Sequence, residues 1–151
     1  MALEDLYREV ILDHYRNPRN RKALEKCNAA AEGSNPLCGD DVRVELLIEQ
    51  GEVTEIGITG HGCSITQASG SMMSEAVKAR TIETIRTLTD RFKGMMSIDG
   101  ANDPGLDPNR PGAVLGDLES LQGVRKFPVR IKCATLPWTT LEEAIKGFEE
   151  G

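Results

Sequence analysis

Two β-branched, partly alternating runs, residues 42–48 and 53–59, are separated by only Glu49-Gln50-Gly51-Glu52. Strand, short glycine-bearing turn and strand in that order read as an antiparallel hairpin. The second run ends at Gly60-His61-Gly62, the sharpest break in the chain. After it Ile65, Ala68, Met72, Ala76 and Val77 recur at helical spacing. Before the hairpin, Leu3, Leu6, Tyr7, Val10, Ile11 and Tyr15 mark an amphipathic helix that Asn17-Pro18 stops. A polar connector containing Asn28-Ala29-Ala30-Ala31 then runs to Gly33. Thr81 is placed to cap a third helix carrying Ile82, Ile85, Leu88 and Phe92. A Gly/Pro/Asp/Asn-rich loop follows over 94–112, and residues 115–121 read as a short helix. The chain closes with a helix opened by Cys133, with Leu136, Leu141, Ala144, Ile145 and Phe148 facing inward. Pro137 is tolerable near the start of that helix, where an unbonded N–H is expected anyway. The fold class is α+β.

At 151 residues the chain is one ordinary domain, 1–151, long enough to bury a core. Aromatic residues make up only 4%, so that core must be aliphatic. No stretch approaches the roughly 20 apolar residues that cross a bilayer, and the first residues carry acids rather than an apolar signal. A cytoplasmic protein without a membrane partner is expected. The net charge of −6 argues against nucleic acid, where basic patches dominate affinity. In a reducing compartment four cysteines point to thiols or metal ligands rather than disulfides.

Three of those cysteines share a property. Cys38 lies in Asn35-Pro36-Leu37-Cys38-Gly39-Asp40, a turn stiffened by proline and loosened by glycine. Cys63 lies between a glycine pair and a helix, where the positive end of the helix favours thiolate. Cys133 has the same expected position and two cations beside it, Arg130 and Lys132. Asp40 can complete four ligands, the count of a tetrahedral zinc site. The cysteines are far apart in sequence, unlike the close pairs of a zinc ribbon, so spacing alone does not establish the site.

Other candidates have plainer readings. Cys27 sits in the polar connector with nothing around it to suggest chemistry. His61 is either an outside ligand or a turn residue between two glycines; His14 reads as structural. Met72-Met73 and Met95-Met96 read as core. Arg125, Lys126, Arg130 and Lys132 form either a solvated face or a surface for a partner. The aspartates at 99, 103 and 107 do not fit a calcium loop, because Pro104 and Pro108 break the pattern.

Together N-P-x-C-G-D, G-x-G-C-x-I-x-x-A-S and P-x-R-x-K-C-A-T-L, in that order, resemble the U-type iron–sulfur assembly family. Leu6-Tyr7 and Asp13-His14-Tyr15-Arg16-Asn17-Pro18 resemble the family's first helix. Its scaffold branch, IscU, carries histidine immediately before the third cysteine and lacks a long insertion between the second and third. Here Lys132 holds that position, and residues 94–122 look like such an insertion. Both departures point to the SufU branch. The resemblance implies a SufE/NifU-like fold with a small antiparallel sheet of about three strands packed by helices. The third strand is then expected between the first helix and Cys38, or just before Cys133. It further implies zinc held by Cys38, Asp40, Cys63 and Cys133, with Cys38 as the thiol that accepts sulfur. The implied partners are a SufS-type cysteine desulfurase and downstream Suf cluster-assembly proteins. Two alternatives stand beside that sulfurtransferase reading: a scaffold holding an iron–sulfur cluster on the same thiols, and a structural zinc module that only binds a partner.

Overall fold

In the computed structural model the described residues are 3–36, 39–97, 105–106 and 109–150. In chain order the elements are α1 (Leu3–Arg16), β1 (Ala29–Asn35), β2 (Asp40–Glu49), β3 (Glu52–His61), α2 (Ser64–Val77), β4 (Arg80–Thr81) and α3 (Ile82–Met96). A 3-10 helix (Gly116–Lys126) and α4 (Pro128–Glu150) follow. The fold is α+β, with one antiparallel sheet in the order β1-β2-β3-β4.

The hairpin forms where expected. Glu49 pairs with Glu52, and the two residues between them, Gln50 and Gly51, have φ of 53° and 77°. Positive φ at both positions is the tight turn whose twist matches that of the strands. The alternation in β3 is only partial for a visible reason. Leu47 pairs with Glu55 and Ile48 with Val53, so Thr54 is an extra residue on one strand. Its hydroxyl lies 3.2 Å from Leu47 O and 3.0 Å from Glu49 Oε1, which share its one proton. The bulge shifts the phase by one, so Val53, Ile56 and Ile58 all face inward with Val44, Leu46 and Ile48.

The expected third strand exists, in the first of its two anticipated places. β1 lies in what reads as a polar connector, and it pairs with β2 from Ala29↔Leu46 to Asn35↔Asp40. Its sequence, Ala-Ala-Ala-Glu-Gly-Ser-Asn, has little strand propensity; pairing and burial stabilise it instead. Asn28 extends the ladder with side-chain bonds, donating to Ile48 O at 2.7 Å and accepting from Ile48 N at 2.8 Å. Helix α4 packs directly on β1. A Cβ at Gly33 would lie 2.2 Å from Thr140 Oγ1, so only glycine permits that approach. β4 is a fourth strand of two residues, beyond the three anticipated.

Three expectations about the last helix are corrected. α4 begins at Pro128, which suits the first helical position, so Cys133 lies in its second turn rather than opening it. The segment just before Cys133 is therefore helix, not strand. Pro137 is inside the helix and cannot donate to the carbonyl four residues back, that of Cys133. Phe148 is exposed, not inward. Elsewhere α3 runs through Met96, past the expected start of the loop at Gly94, and the short helix extends to Lys126 as a 3-10 helix. Thr81 caps α3 as anticipated, accepting from Thr84 N at 3.2 Å. The core is aliphatic apart from Phe92 stacked on Trp138, with ring centroids 4.7 Å apart. All four paired methionines belong to it.

Candidate metal centre

The hairpin register determines where the site forms. Asp41 pairs with His61, so the start of β2 and the end of β3 lie at the same end of the sheet. Asp40 is the first residue of β2, its side chain directed inward and 1% exposed. One residue beyond β3, Gly62 turns the chain toward α2. A Cβ at Gly62 would lie 3.0 Å from Asp40 Oδ1, tight enough to push the carboxylate away. Cys63 is the N-cap of α2 and is partly exposed. Its N–H donates to Asp40 Oδ1 at 2.9 Å. The third contribution comes from α4, whose seat on β1 and α2 brings in Cys133, fully buried. The Oγ of Ser69 in α2 donates to Ala134 O and fixes that contact.

The donor atoms of Asp40, Cys63 and Cys133 all lie within 4.8 Å of one another. Neighbouring ligands of a tetrahedral zinc with Zn–S of about 2.3 Å are roughly 3.8 Å apart, so the three donors need little adjustment to share one ion. Their chemistry fits as well: two sulfurs and a carboxylate suit a borderline-soft divalent cation.

Cys63 Sγ is 3.9 Å from Asp40 Oδ2 and 3.4 Å from Thr66 Oγ1; Asn35 Nδ2 approaches Cys133 Sγ at 4.0 Å. Burial pushes the Cys63 thiol up, but hydrogen bonds from the Thr66 hydroxyl and backbone N–H and from the Cys133 thiol outweigh it. Asp40 opposes them, and the net result is a thiol below its ordinary value. The expectation of an ionisable sulfur at the start of α2 therefore holds for Cys63.

Cys38, the fourth sequence candidate, lies outside the described residues, as do Asp99, Asp103 and Asp107. Its neighbours in the chain are placed: Asn35 and Asp40 face each other across β1 and β2, and Gly39 has φ of 69°. His61 is not part of the cluster. It is exposed, and its Nε2 lies 3.7 Å from the exposed Asp41 Oδ2. Cys27 is exposed, with its thiol 3.8 Å from Glu45 Oε2. Arg125, Lys126, Arg130 and Lys132 are all exposed. Thr66 is a residue the motifs do not single out. Its hydroxyl donates to Asp40 Oδ2 at 2.7 Å. The one hint in the sequence is its position three residues after Cys63, where an N-cap meets the helix's first turn.

A small antiparallel sheet covered by helices, with two thiols and a carboxylate gathered at one end, is an α+β domain with a candidate metal site. The NifU-like N-terminal domain matches residues 6–134, and this chain belongs to that family. Within it, the chain is 43% identical to the zinc-dependent sulfurtransferase SufU of Bacillus subtilis, over 99% of this chain and 95% of that protein. It is 38% identical to the iron–sulfur cluster assembly scaffold protein IscU of Streptococcus pyogenes, over 95% and 85% of the two chains. Among solved structures, a SUF-system assembly scaffold protein from Fervidobacterium islandicum superposes with a TM-score of 0.80 at 30% identity, covering 95% of this chain and 99% of that one. The N-terminal part of a NifU-like protein from Brucella abortus superposes at 0.83 with 26% identity, covering 98% and 97%. The SufU-branch resemblance drawn from Lys132 and the insertion agrees with these relatives.

Proposed function

We propose that this chain is a zinc-dependent sulfur acceptor in iron–sulfur cluster assembly. On this reading it takes persulfide sulfur from a SufS-type cysteine desulfurase in the cytoplasm and passes it to downstream Suf proteins. The observation that supports it most is the gathering of Asp40, Cys63 and Cys133 donors within 4.8 Å, beside the connection that carries Cys38. The zinc ligands are Cys38, Asp40, Cys63 and Cys133, and the insertion over 94–122 distinguishes the branch. A bound zinc supplies positive charge that holds thiols deprotonated without taking part in redox chemistry.

The chain's own residues divide the remaining work. Asp40, Cys63 and Cys133 are held by a strand and two helices, whereas Cys38 is flanked by Pro36 and Gly39 between strands. Cys38 is therefore the thiol assigned to carry sulfur. Its thiolate attacks the outer sulfur of the desulfurase persulfide, and its electron pair forms the new S–S bond. The bond to the desulfurase cysteine breaks, and that cysteine leaves as thiolate, with no external oxidant or reductant. Phe127 and Val129 are 62% and 61% exposed, amid the exposed Arg125, Lys126 and Arg130. An apolar patch with a basic rim in a chain of net charge −6 suits an acidic partner surface.

The test is desulfurase turnover with and without this protein, with metal analysis and mass spectrometry on the same sample. Zinc-bound, colourless protein should stimulate turnover and gain one sulfur on Cys38, and Cys38→Ser should abolish the stimulation. Sulfur appearing first on Cys27, Cys63 or Cys133 would overturn the assignment of Cys38. The scaffold-named relatives favour a second reading, a cluster held on the same thiols; brown, iron-containing protein on anaerobic purification would establish that one instead.

A further inference from the structure

We propose that Thr66 is the positioning residue of this centre, holding the Asp40 carboxylate in the orientation that an ion shared with Cys63 and Cys133 requires. This rests on the zinc reading above and adds a residue that donates no ligand atom. Both Asp40 oxygens meet donors from the start of α2: Oδ1 takes the Cys63 N–H at 2.9 Å and Oδ2 takes the Thr66 hydroxyl at 2.7 Å. Asp40 and Thr66 are each 1% exposed, so bulk water does not compete for these bonds. A buried carboxylate that binds an ion through one oxygen leaves charge on the other, and that charge needs a donor. Thr66 provides it.

The hydroxyl also has a second neighbour, Cys63 Sγ at 3.4 Å. It carries a single proton, which at any moment serves one acceptor. That proton is committed to the shorter contact, the 2.7 Å bond to Asp40, and the oxygen stays against the sulfur. Thr66 thereby links the hardest ligand of the set to one of the soft ones. It does so from the helix that carries the soft ligand, one turn along.

Zinc affinity tests this without recourse to turnover. The wild-type protein, Thr66→Val and Thr66→Ser are titrated against a chromophoric zinc chelator in reducing buffer, and each chelated protein is also melted. Thr66→Val keeps the side-chain shape and removes the donor; it should weaken zinc about 10- to 100-fold, the usual range for a lost outer-shell partner. Its chelated form should still melt cooperatively but somewhat below chelated wild type, because the buried Asp40 oxygen loses its donor; the melt shows that the variant is folded. Thr66→Ser restores the hydroxyl and should restore affinity. Should the valine variant not fold, Thr66→Ala removes the same donor and replaces it in the comparison. Wild-type affinity in a folded variant without the hydroxyl overturns the proposal. So does equal loss in Thr66→Ser, which would assign the effect to packing of the threonine methyl. A wild-type protein that binds no zinc overturns the metal reading itself, and this proposal with it, so the two failures are distinct.

Discussion

Helix α2 carries two polar clusters, each anchored on buried side chains, and they are built in opposite ways. In its first turn Cys63 and Thr66 meet Asp40, with Cys133 alongside. Further along, Ser71 and Ser74 meet His14, Arg19 and Asn20, and His14 reaches on to Asp117. The second cluster closes on itself. His14 is 1% exposed, with Nδ1 2.8 Å from Ser71 Oγ and Nε2 2.9 Å from Asp117 Oδ2, while the Arg19 N–H donates to Ser71 Oγ at 2.9 Å. One assignment that satisfies these contacts has Nε2–H donating to Asp117, the Ser71 hydroxyl donating to Nδ1, and Ser71 accepting from Arg19. In the first cluster the shortest bonds go to the Asp40 carboxylate, 2.7 and 2.9 Å, while Cys63 Sγ meets the Thr66 hydroxyl at 3.4 Å and Asn35 approaches Cys133 Sγ at 4.0 Å. A cluster whose donors and acceptors balance is a joint between elements. One with acceptors to spare is a ligand set.

The largest test of this contrast removes a ligand. Cys133→Ala should weaken zinc binding enough to lower the zinc content well below one per chain, because water replaces a thiolate in the fourth position. Metal analysis after gel filtration checks this; full occupancy in the variant would make the ligand set wrong. A smaller effect, of a different kind, is expected from the joint. His14→Phe leaves the buried Ser71 hydroxyl without its acceptor and should cost about 1–3 kcal/mol of stability while zinc affinity stays unchanged. Denaturant unfolding of the chelated protein, with a chelator titration beside it, separates the two quantities. A parallel fall in zinc affinity would mean the clusters are coupled through α2. The smallest effect belongs to Lys132, adjacent to Cys133 but exposed. Lys132→Ala should keep its zinc and change stability by less than about 0.5 kcal/mol. Zinc loss matching that of Cys133→Ala would place position 132 in the coordination shell.

The hairpin, the caps at Thr81 and Cys63 and most helices were legible because each rests on local chemistry: periodicity, a turn dipeptide, a hydroxyl before an apolar run. β1 was not, because alanines and a glycine specify nothing until a partner strand and α4 lie against them. The start of α4 was missed for a related reason. Its first turn, Pro128 to Ile131, is largely exposed and carries no apolar face to announce it. Of the site, the motifs indicated Asp40, Cys63 and Cys133. They did not explain how Asp40 and Cys63 come to be neighbours. That follows from the hairpin itself: two strands of equal length folded about Gln50-Gly51 return residue 61 to residue 41. Thr66 stayed hidden because its partner is 26 positions away in the chain.

Gly33 has a mechanical consequence. With no side chain on Gly33, the side chains of Thr140 and Leu136 in α4 bear directly on the backbone of the strand. β1 runs straight into the connection that holds Cys38, and α4 carries Cys133 one turn before Leu136 and two turns before Thr140. The connection leaves β1 at Asn35, which lies against Cys133, and enters β2 at Asp40, which holds the Cys63 N–H. A partner that pulls on the turn therefore loads the cluster from both sides, through Asn35 toward Cys133 and through Asp40 toward Cys63.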